Sequence, residues 1–365
     1  RGRTVEVEFH ADKILDGRSP GHRRERCPAG NRMSGAATTL RIAVPSLAGR
    51  SESGLPASRL AAAEWLVARG DRTPEPPASW RQWLLDDAGL GHDLLERFPA
   101  GPCAHAAWTG RPARGTWACA APVHLLTAID HLQLAAPVPL PLEAEESAAL
   151  LASLDAHLAG TGFRLHSSPG RGWLCECPPD LVCTAVEPAA AVGRNLRELL
   201  PGGRDAARVR ALGTELQMLL HEHPANERRA LRGAPAMNSL WLWGFGAAVE
   251  PRAQAQGALL TDDAWLAGLW RLHGGEVGSP GELADYLRRG RAVVRVALAP
   301  TSGRENPRDQ RAVLDRSLLA PARAALVDGV VQCLSLHTGR TAFEVRRHAR
   351  WRFWRRSRPL GEVLQ

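Results

Sequence analysis

The stretch Met218-Leu-Leu-His-Glu-His-Pro-Ala-Asn-Glu-Arg-Arg229 runs through Gly233-Ala-Pro235 to Asn238-Ser-Leu-Trp-Leu-Trp-Gly-Phe-Gly246. It is the densest run of chemically capable side chains in the chain. His221 and His223 are two residues apart. On a helix they diverge, and at a frayed helix end they converge. Without an acidic or thiolate partner the pair is a weak metal signal, and Glu222 between them points elsewhere. Asn226, Arg228 and Arg229 suit an anion, because a guanidinium fork matches phosphate or carboxylate oxygens. The plainer alternative makes His223-Pro-Ala-Asn226 a helix stop with solvated arginines, and residue types alone favour it.

Working outward, helix and strand signals alternate. Asp205–His221 predicts a helix, and Ser239–Trp243 a short buried strand. Upstream, Leu40–Val44 predicts a strand ended by Pro45. Pro56–Arg69 predicts a helix stopped by Gly70, and Ser79–Ala88 a helix with Ser79 as its N-cap. Thr116–Leu134 reads as two strands. Glu143–Gly160 is amphipathic, with Leu150, Leu151, Leu154 and Leu158 at helical spacing and acids in its first turn. Phe163–Leu165 and Trp173–Cys175 predict a hairpin. Downstream, Asp262–Leu272 and Gly281–Arg289 read as helices, and Ala292–Leu298 as a Val-rich strand. Val330–Leu336 and Phe343–Trp354 predict a terminal hairpin. This alternation argues an α/β protein.

The chain has 365 residues, 44% hydrophobic and 23% charged, enough to bury a core. The 35 Gly and 27 Pro show no period, which excludes collagen. Lys13 is the only lysine among 46 basic residues, and Tyr286 the only tyrosine beside 12 Trp. That usage resembles a GC-rich coding bias. Of the net charge of +8, residues 1–32 carry +3 and residues 340–358 carry +7, so the rest sums to −2. Basic ends on a near-neutral body weaken a global nucleic-acid reading. The seven cysteines are scattered, with no CxxC pair. Cys175, Cys177 and Cys183 lack a nearby fourth ligand, so free thiols in a reducing compartment are expected. The longest charge-free windows, such as 233–249, contain Pro, Asn and Gly. No membrane span and no signal peptide are expected.

Residues 1–32 have no hydrophobic period and are expected to be a disordered or non-native extension, with translation starting at Met33. As a nucleic-acid arm this segment is compromised by its five acids.

The block His223-Pro-Ala-Asn226, Arg229, Gly233-Ala-Pro235, Asn238-Ser-Leu-Trp-Leu-Trp-Gly-Phe-Gly246 resembles cofactor-independent phosphoglycerate mutases of the archaeal type, in the alkaline phosphatase superfamily. It resembles still more closely the RpfE-type regulatory proteins related to them. Members of that bacterial subfamily share Gln217-Met-Leu-Leu-His221 and an ending like Trp351-Arg-Phe-Trp-Arg-Arg356. Other pieces fit. Leu40–Ser46 matches the first core strand, Leu55–Gly70 the following helix, and Pro178-Pro-Asp-Leu181 a family stretch whose His is missing here. The resemblance implies an alkaline-phosphatase-like core with a mainly parallel sheet flanked by helices, plus a small inserted α+β domain. It divides the chain into 1–32, a first core part 33–115, an insert 116–185, and a second core part 186–365 ending in a basic hairpin. It places the phosphorylated nucleophile near Ser79, at a helix N-terminus where backbone N–H groups stabilise a phosphate. It gives His223, Asn226, Arg229 and Asn238 substrate-binding roles.

The resemblance also implies two divalent metals, Mn or Mg for a working mutase, held by Asp and His. Here the sequence departs from the pattern. Val44-Pro-Ser-Leu-Ala-Gly49 has no Asp after the first strand, Ser79 is followed by Trp80 rather than Asp, and Ala292–Ala299 has neither Asp nor His. About six ligands are needed and are not assembled. Without metals, Ser79 lacks activation. The expectation is therefore a cytoplasmic, catalytically degenerate regulatory protein with no evident cofactor. Its partner would be a phosphorylated metabolite or a regulatory protein, not a membrane. An active metal-dependent mutase or phosphatase is the alternative.

A second alternative is nucleic-acid association through Trp351–Arg356, where aromatics and arginines interleave. An edge strand with apolar residues inward and Arg outward gives the same pattern and disfavours that reading. Gly244-Phe-Gly246 is too short for a dinucleotide loop. Asp130-His131 and His124 suit local hydrogen bonds, and the tryptophans at 65, 83, 241, 243, 265 and 270 suit packing.

Overall fold

The computed structural model describes residues 38–48, 59–73, 79–91, 94–128, 131–168, 170–251, 253–299, 307–339 and 341–363. Residues 1–32, the start at Met33 and the helix start at Pro56 lie outside them. The strands are β1 Thr38–Ala43, β2 Asp71–Arg72, β3 Thr116–Val123, β4 Leu125–Thr127, β5 Leu132–Leu134, β6 Arg164–Ser168, β7 Gly172–Cys177, β8 Ser239–Ala247, β9 Ala258–Thr261, β10 Glu276–Gly278, β11 Val293–Ala297, β12 Val331–His337 and β13 Ala342–Arg346. The helices that matter below are α1 Ala61–Arg69, α2 Trp80–Asp87, α3 Leu94–Arg97, α4 Ala100–Thr109, α5 Ala144–Leu158, α6 Pro188–Ala191, α7 Ala206–His221, α8 Pro224–Leu231 and α9 Ala264–Leu272.

The chain is α/β with a mainly parallel sheet flanked by helices, as expected. The sheet has seven strands in the order β10-β9-β11-β1-β12-β13-β2. The first five pair in parallel, and the last two add antiparallel. Side chains alternate across β1, so its two faces serve different cores. Leu40 and Ile42 join Val294, Val296, Leu334 and Leu336 under α1 and the helix Ala320–Asp328. Ala43 and Ala297 lie on the other face, with Leu84 of α2 and Leu266 and Trp270 of α9. Arg41, Arg295 and Ser335 are aligned across neighbouring strands on that second face. Asp87 at the end of α2 pairs with both arginines at 2.9 Å.

One helix start is completed from far along the chain. Leu60 gives α1 no side-chain cap. Asp315, 6% exposed, accepts instead from Ala62 N at 3.1 Å and Ala63 N at 2.8 Å. This fills the donor vacancy that every helix N-terminus leaves.

The smaller sheet is antiparallel, in the order β6-β7-β3-β8. The predicted hairpin of 163–175 is its β6–β7 pair. The division implied by the resemblance puts Ser239–Ala247 in the second core part, 186–365. It hydrogen-bonds instead to β3, so the small sheet draws on residues beyond 116–185. The reason is apolar alternation. Leu240 and Leu242 point into one cluster with Leu150, Leu154, Leu212 and Leu216 of α5 and α7.

Helix α4 is the spacer between the two sheets. A Cβ on Gly101 would meet the backbone of Trp117 and Ala118 of β3 at 2.5–2.6 Å. A Cβ on Gly268 of α9 would lie 1.6 Å from the Cys103 carbonyl oxygen of α4. Gly244 and Gly246 serve the same contact. Gly244 sits at φ +64, and Cβ atoms at these positions would strike Ala100 and Pro99 at 2.6 and 2.3 Å. The Trp-Gly-Phe-Gly run is therefore a seat for the start of α4.

The terminal hairpin exists but is shorter than predicted. Its second strand stops at Arg346, and Arg347–Trp351 forms a 3-10 turn. Arg352 and Arg355 reach back to Asp71 at 2.8 and 3.1 Å and to the carbonyls of Arg69 and Gly70. Those bonds turn the chain away from the sheet.

Candidate functional site

Parallel strands gather their carboxyl ends along one edge, where α/β proteins build their sites. Here that edge presents the start of α2. Ser79 is its N-cap and accepts weakly from Gln82 N at 3.4 Å. Ser79 opens on a cleft of about 430 Å³. Arg81, Glu96, Pro99, Glu187, Trp243 and Trp265 are among its other walls.

Arg81 dominates this cleft. Its side chain is 9% exposed. It donates from Nε and Nη2 to Asp263 Oδ2 at 2.9 and 2.6 Å, and from Nη1 and Nη2 to Glu187 at 2.7 and 2.9 Å. Its plane lies 4.7 Å from the Trp80 ring and 5.0 Å from the Trp265 ring. Burial opposes its charge, but Asp263 and Glu187 outweigh burial and hold its pKa above the ordinary value. Asp263 is 4% exposed and also caps α9, its Oδ1 accepting from Leu266 N at 2.9 Å. Trp265 Nε1 donates to Phe98 O, and its ring stands edge-on to Trp243 at 6.1 Å. Trp243, Phe245 and Trp265 give the cleft an aromatic side, and its guanidinium, that of Arg81, is engaged by the carboxylates of Glu187 and Asp263.

The resemblance implies two divalent metals beside Ser79, and the donor set here does not fit them. Both Asp263 oxygens accept N–H donors, and both Glu187 oxygens accept from Arg81. A resident guanidinium already neutralises the acids that a metal would use. Among the described residues no group of three or more His, Cys, Asp or Glu could hold a metal.

The other predicted residues are placed elsewhere, and none of them lines the cleft. His223 is the N-cap of α8, with Nδ1 accepting from Ala225 N at 3.1 Å and Nε2 bonded to Ser153 Oγ at 2.9 Å. Asn226 spans the 220–237 loop, with Nδ2 to the carbonyls of Leu220 and Met237 and Oδ1 from Met237 N, each at 2.8 Å. Asn238 makes the same two-way clamp with the backbone of Leu125 at 2.7 and 2.9 Å. Arg229 is 2% exposed. Its Nη1 meets Glu146 at 2.7 Å and its Nε the Pro235 carbonyl at 2.7 Å. Glu146 takes a second bond from Glu143 N at 3.0 Å and a third from Arg232. These four side chains brace the turn between α7 and β8. Arg229 is turned inward onto a buried carboxylate 83 residues upstream.

Sequence reading missed Arg81, Asp263, Glu187 and Pro99. The usable signals were local: Arg81 follows the N-cap serine by two residues, and Asp263 heads a predicted helix. Nothing local says that they meet. Among the cysteines, Cys103, Cys119, Cys175, Cys177 and Cys183 are free thiols.

No protein-family model matches the chain. Among curated proteins it is 31% identical over 117 residues to a 2,3-bisphosphoglycerate-independent phosphoglycerate mutase of Methanosarcina barkeri, covering 29% of this chain and 27% of that one. It is 39% identical over 69 residues to the same enzyme of Methanothrix thermoacetophila, covering 19% and 17%. The matched stretches therefore span about a quarter or less of those relatives. Among solved structures, a cofactor-independent phosphoglycerate mutase from Thermoplasma acidophilum aligns at TM-score 0.39 and 19% identity, over 84% of this chain and 89% of that one. A protein from Pyrococcus horikoshii aligns at TM-score 0.47 and 15% identity, over 85% and 88%. The sequence relatives are thus phosphoglycerate-mutase-like.

Proposed function

We propose that this chain is a phosphoglycerate-mutase-like regulatory protein, of the RpfE type and cytoplasmic, whose Ser79 cleft binds rather than transfers a phosphoryl group. The observation that carries this reading is Arg81. Its guanidinium lines the same cleft as Ser79, and it engages both Glu187 and Asp263. A guanidinium stabilises charge but does not polarise a serine hydroxyl as a metal does. The cleft lining sets Glu96 and Glu187 against Arg81, a balance that disfavours a phosphorylated metabolite and favours a protein partner among the two kinds of ligand. No helix among the described residues is long and apolar enough to cross a membrane.

One observation favours the alternative, an active mutase or phosphatase using Mn or Mg. Ser79 lies at a helix N-terminus and opens on the cleft, as a phosphorylated nucleophile would. An enolase-coupled assay with 3-phosphoglycerate separates the two readings. It is run with Mn²⁺ and with Mg²⁺, on the protein begun at Met33 and on Ser79→Ala. The binding reading expects no metal-dependent turnover. Turnover that Ser79→Ala abolishes overturns it.

A further inference from the structure

The segment after β13 carries three large, mostly exposed aromatic side chains, with the Arg350 guanidinium over the Trp351 ring at 4.9 Å. Trp351, Phe353 and Trp354 are 64%, 77% and 67% exposed. An edge strand would have turned alternate members inward, and that was the physical ground for discounting a nucleic-acid role. The structure removes this ground, because Arg347–Trp351 is a turn and all three rings face out. The rings are held, not dangling. Arg352 and Arg355 anchor the segment to Asp71 and to the carbonyls of Arg69 and Gly70. Phe353 and Trp354 stand edge to face at 5.3 Å, which leaves separate ring faces for flat partners.

The surrounding charge is positive and incompletely answered. Residues 347–358 contain six arginines and no acid, and Asp71 serves two of those arginines. Arg350 Nε and Arg69 Nε are buried with no acceptor among the described residues. Arg69 and Arg323 both lie over the Trp65 ring, at 4.7 and 5.2 Å, so two cations share one aromatic ring. Burial and the charge of Arg323 press the Arg69 pKa below its ordinary value.

We propose that this face binds single-stranded nucleic acid, with bases stacking on Trp351, Phe353 and Trp354 and phosphates pairing with the arginines around them. Stacking is tolerant of sequence and the arginines read only the backbone, so binding is sequence-independent. A single strand is favoured over a duplex because only unpaired bases expose their faces. An anionic membrane is disfavoured by the architecture: interfacial binding is the work of a long amphipathic helix, and this is a five-residue turn.

The test is fluorescence anisotropy of a labelled oligouridine of about 12 nucleotides, titrated with the whole chain. The expected affinity weakens about tenfold or more from about 50 to about 200 mM salt, as for three neutralised phosphates. The variant Trp351→Ala/Phe353→Ala/Trp354→Ala, checked for fold by circular dichroism, should bind at least about tenfold more weakly with its salt slope kept. Arg356→Glu/Arg358→Glu should lose both affinity and slope. No binding at about 0.1 mM protein in low salt overturns the proposal, and so does unchanged affinity in the aromatic variant. Capture by vesicles containing phosphatidylglycerol without oligonucleotide binding overturns it in favour of a membrane surface.

Discussion

Arg81 Nη2 lies 2.6 Å from Asp263 Oδ2, and this one contact joins the helix that begins after Ser79 to the helix that begins after Asp263. It bridges 182 residues of chain. It sits at the floor of the cleft, so it governs both the electrostatics of the site and the coherence of the core beneath it.

Removing one partner of this pair should be costly. Arg81→Met leaves Asp263 buried and uncompensated, and a loss of about 3–5 kcal/mol is expected. Adding Asp263→Asn, which keeps an N-cap acceptor for Leu266, should recover part of that loss. Urea unfolding of the two variants measures it. Equal stability of the single and double variants would mean that the pair is not coupled.

Arg229 offers a direct contrast between bracing and binding. Arg229→Ala removes one of the two guanidinium partners of Glu146, which is 4% exposed, and unpairs the Pro235 carbonyl, and should lower stability by about 2–3 kcal/mol. Asn226→Ala, which unpairs three backbone groups, should cost about 2–3 kcal/mol. A surface anion site would behave oppositely, with stability kept and ligand affinity lost.

Gly268→Ala tests the helix spacer. The new methyl would meet the Cys103 carbonyl, which no rotamer can move. Overpacking commonly costs about 1–3 kcal/mol, and against backbone the upper end or more is expected. Gly213→Ala in α7, where a Cβ meets nothing within 4 Å, is the control and should be neutral or mildly stabilising. Melting temperatures of the two variants report the difference.

Acid should weaken the fold in two stages. Burial holds the His105 pKa below 6.5, and burial together with Arg228 does the same to His223. Both are kept neutral in the folded chain, so their stability is full above pH 6.5 and is lost as the unfolded chain takes up protons below it. Glu146 is depressed below 4.5 because the Glu143 N–H, Arg229 and Arg232 outweigh its burial. Its share is lost only as pH falls below that value. The urea midpoint should therefore drop between pH 7.5 and 5.5, and drop less in His223→Asn. An identical drop in that variant would assign the loss to other groups.

Three thiols should be inert, those of Cys103 and Cys177, which are buried, and of Cys119, which is half-buried. Burial pushes Cys103 up to about 12 and Cys119 higher still, while the Cys175 hydrogen bond followed by burial raises Cys177. Thiolate is the reacting species. Iodoacetamide at pH 8 followed by peptide mass mapping should leave these three unmodified in the folded protein and label them in urea.

Much of the fold was legible because it rests on local periodicity. The alternation of Leu40 and Ile42 with Arg41 and Ala43, the leucine spacing of Ala144–Leu158, and the cap at Ser79 each act within a few residues of chain. The terminal strand was misread for the complementary reason. Alternation in Trp351–Arg356 is real, but Asp71 and the carbonyls of Arg69 and Gly70, some 280 residues away, outcompete the sheet for the arginines.

The sequence by itself determined which segments become helix or strand and which of their faces are apolar, since hydrophobic period and capping are set by neighbours. Only the tertiary structure decided what the charged residues do. Arg229 became a brace because Glu146 was folded beneath it, and Arg81 became the cation of the cleft because Glu187 and Asp263 converged on it from 106 and 182 residues away. A buried charge takes its role from its partner, and the partner is chosen by packing over distances that no local pattern encodes.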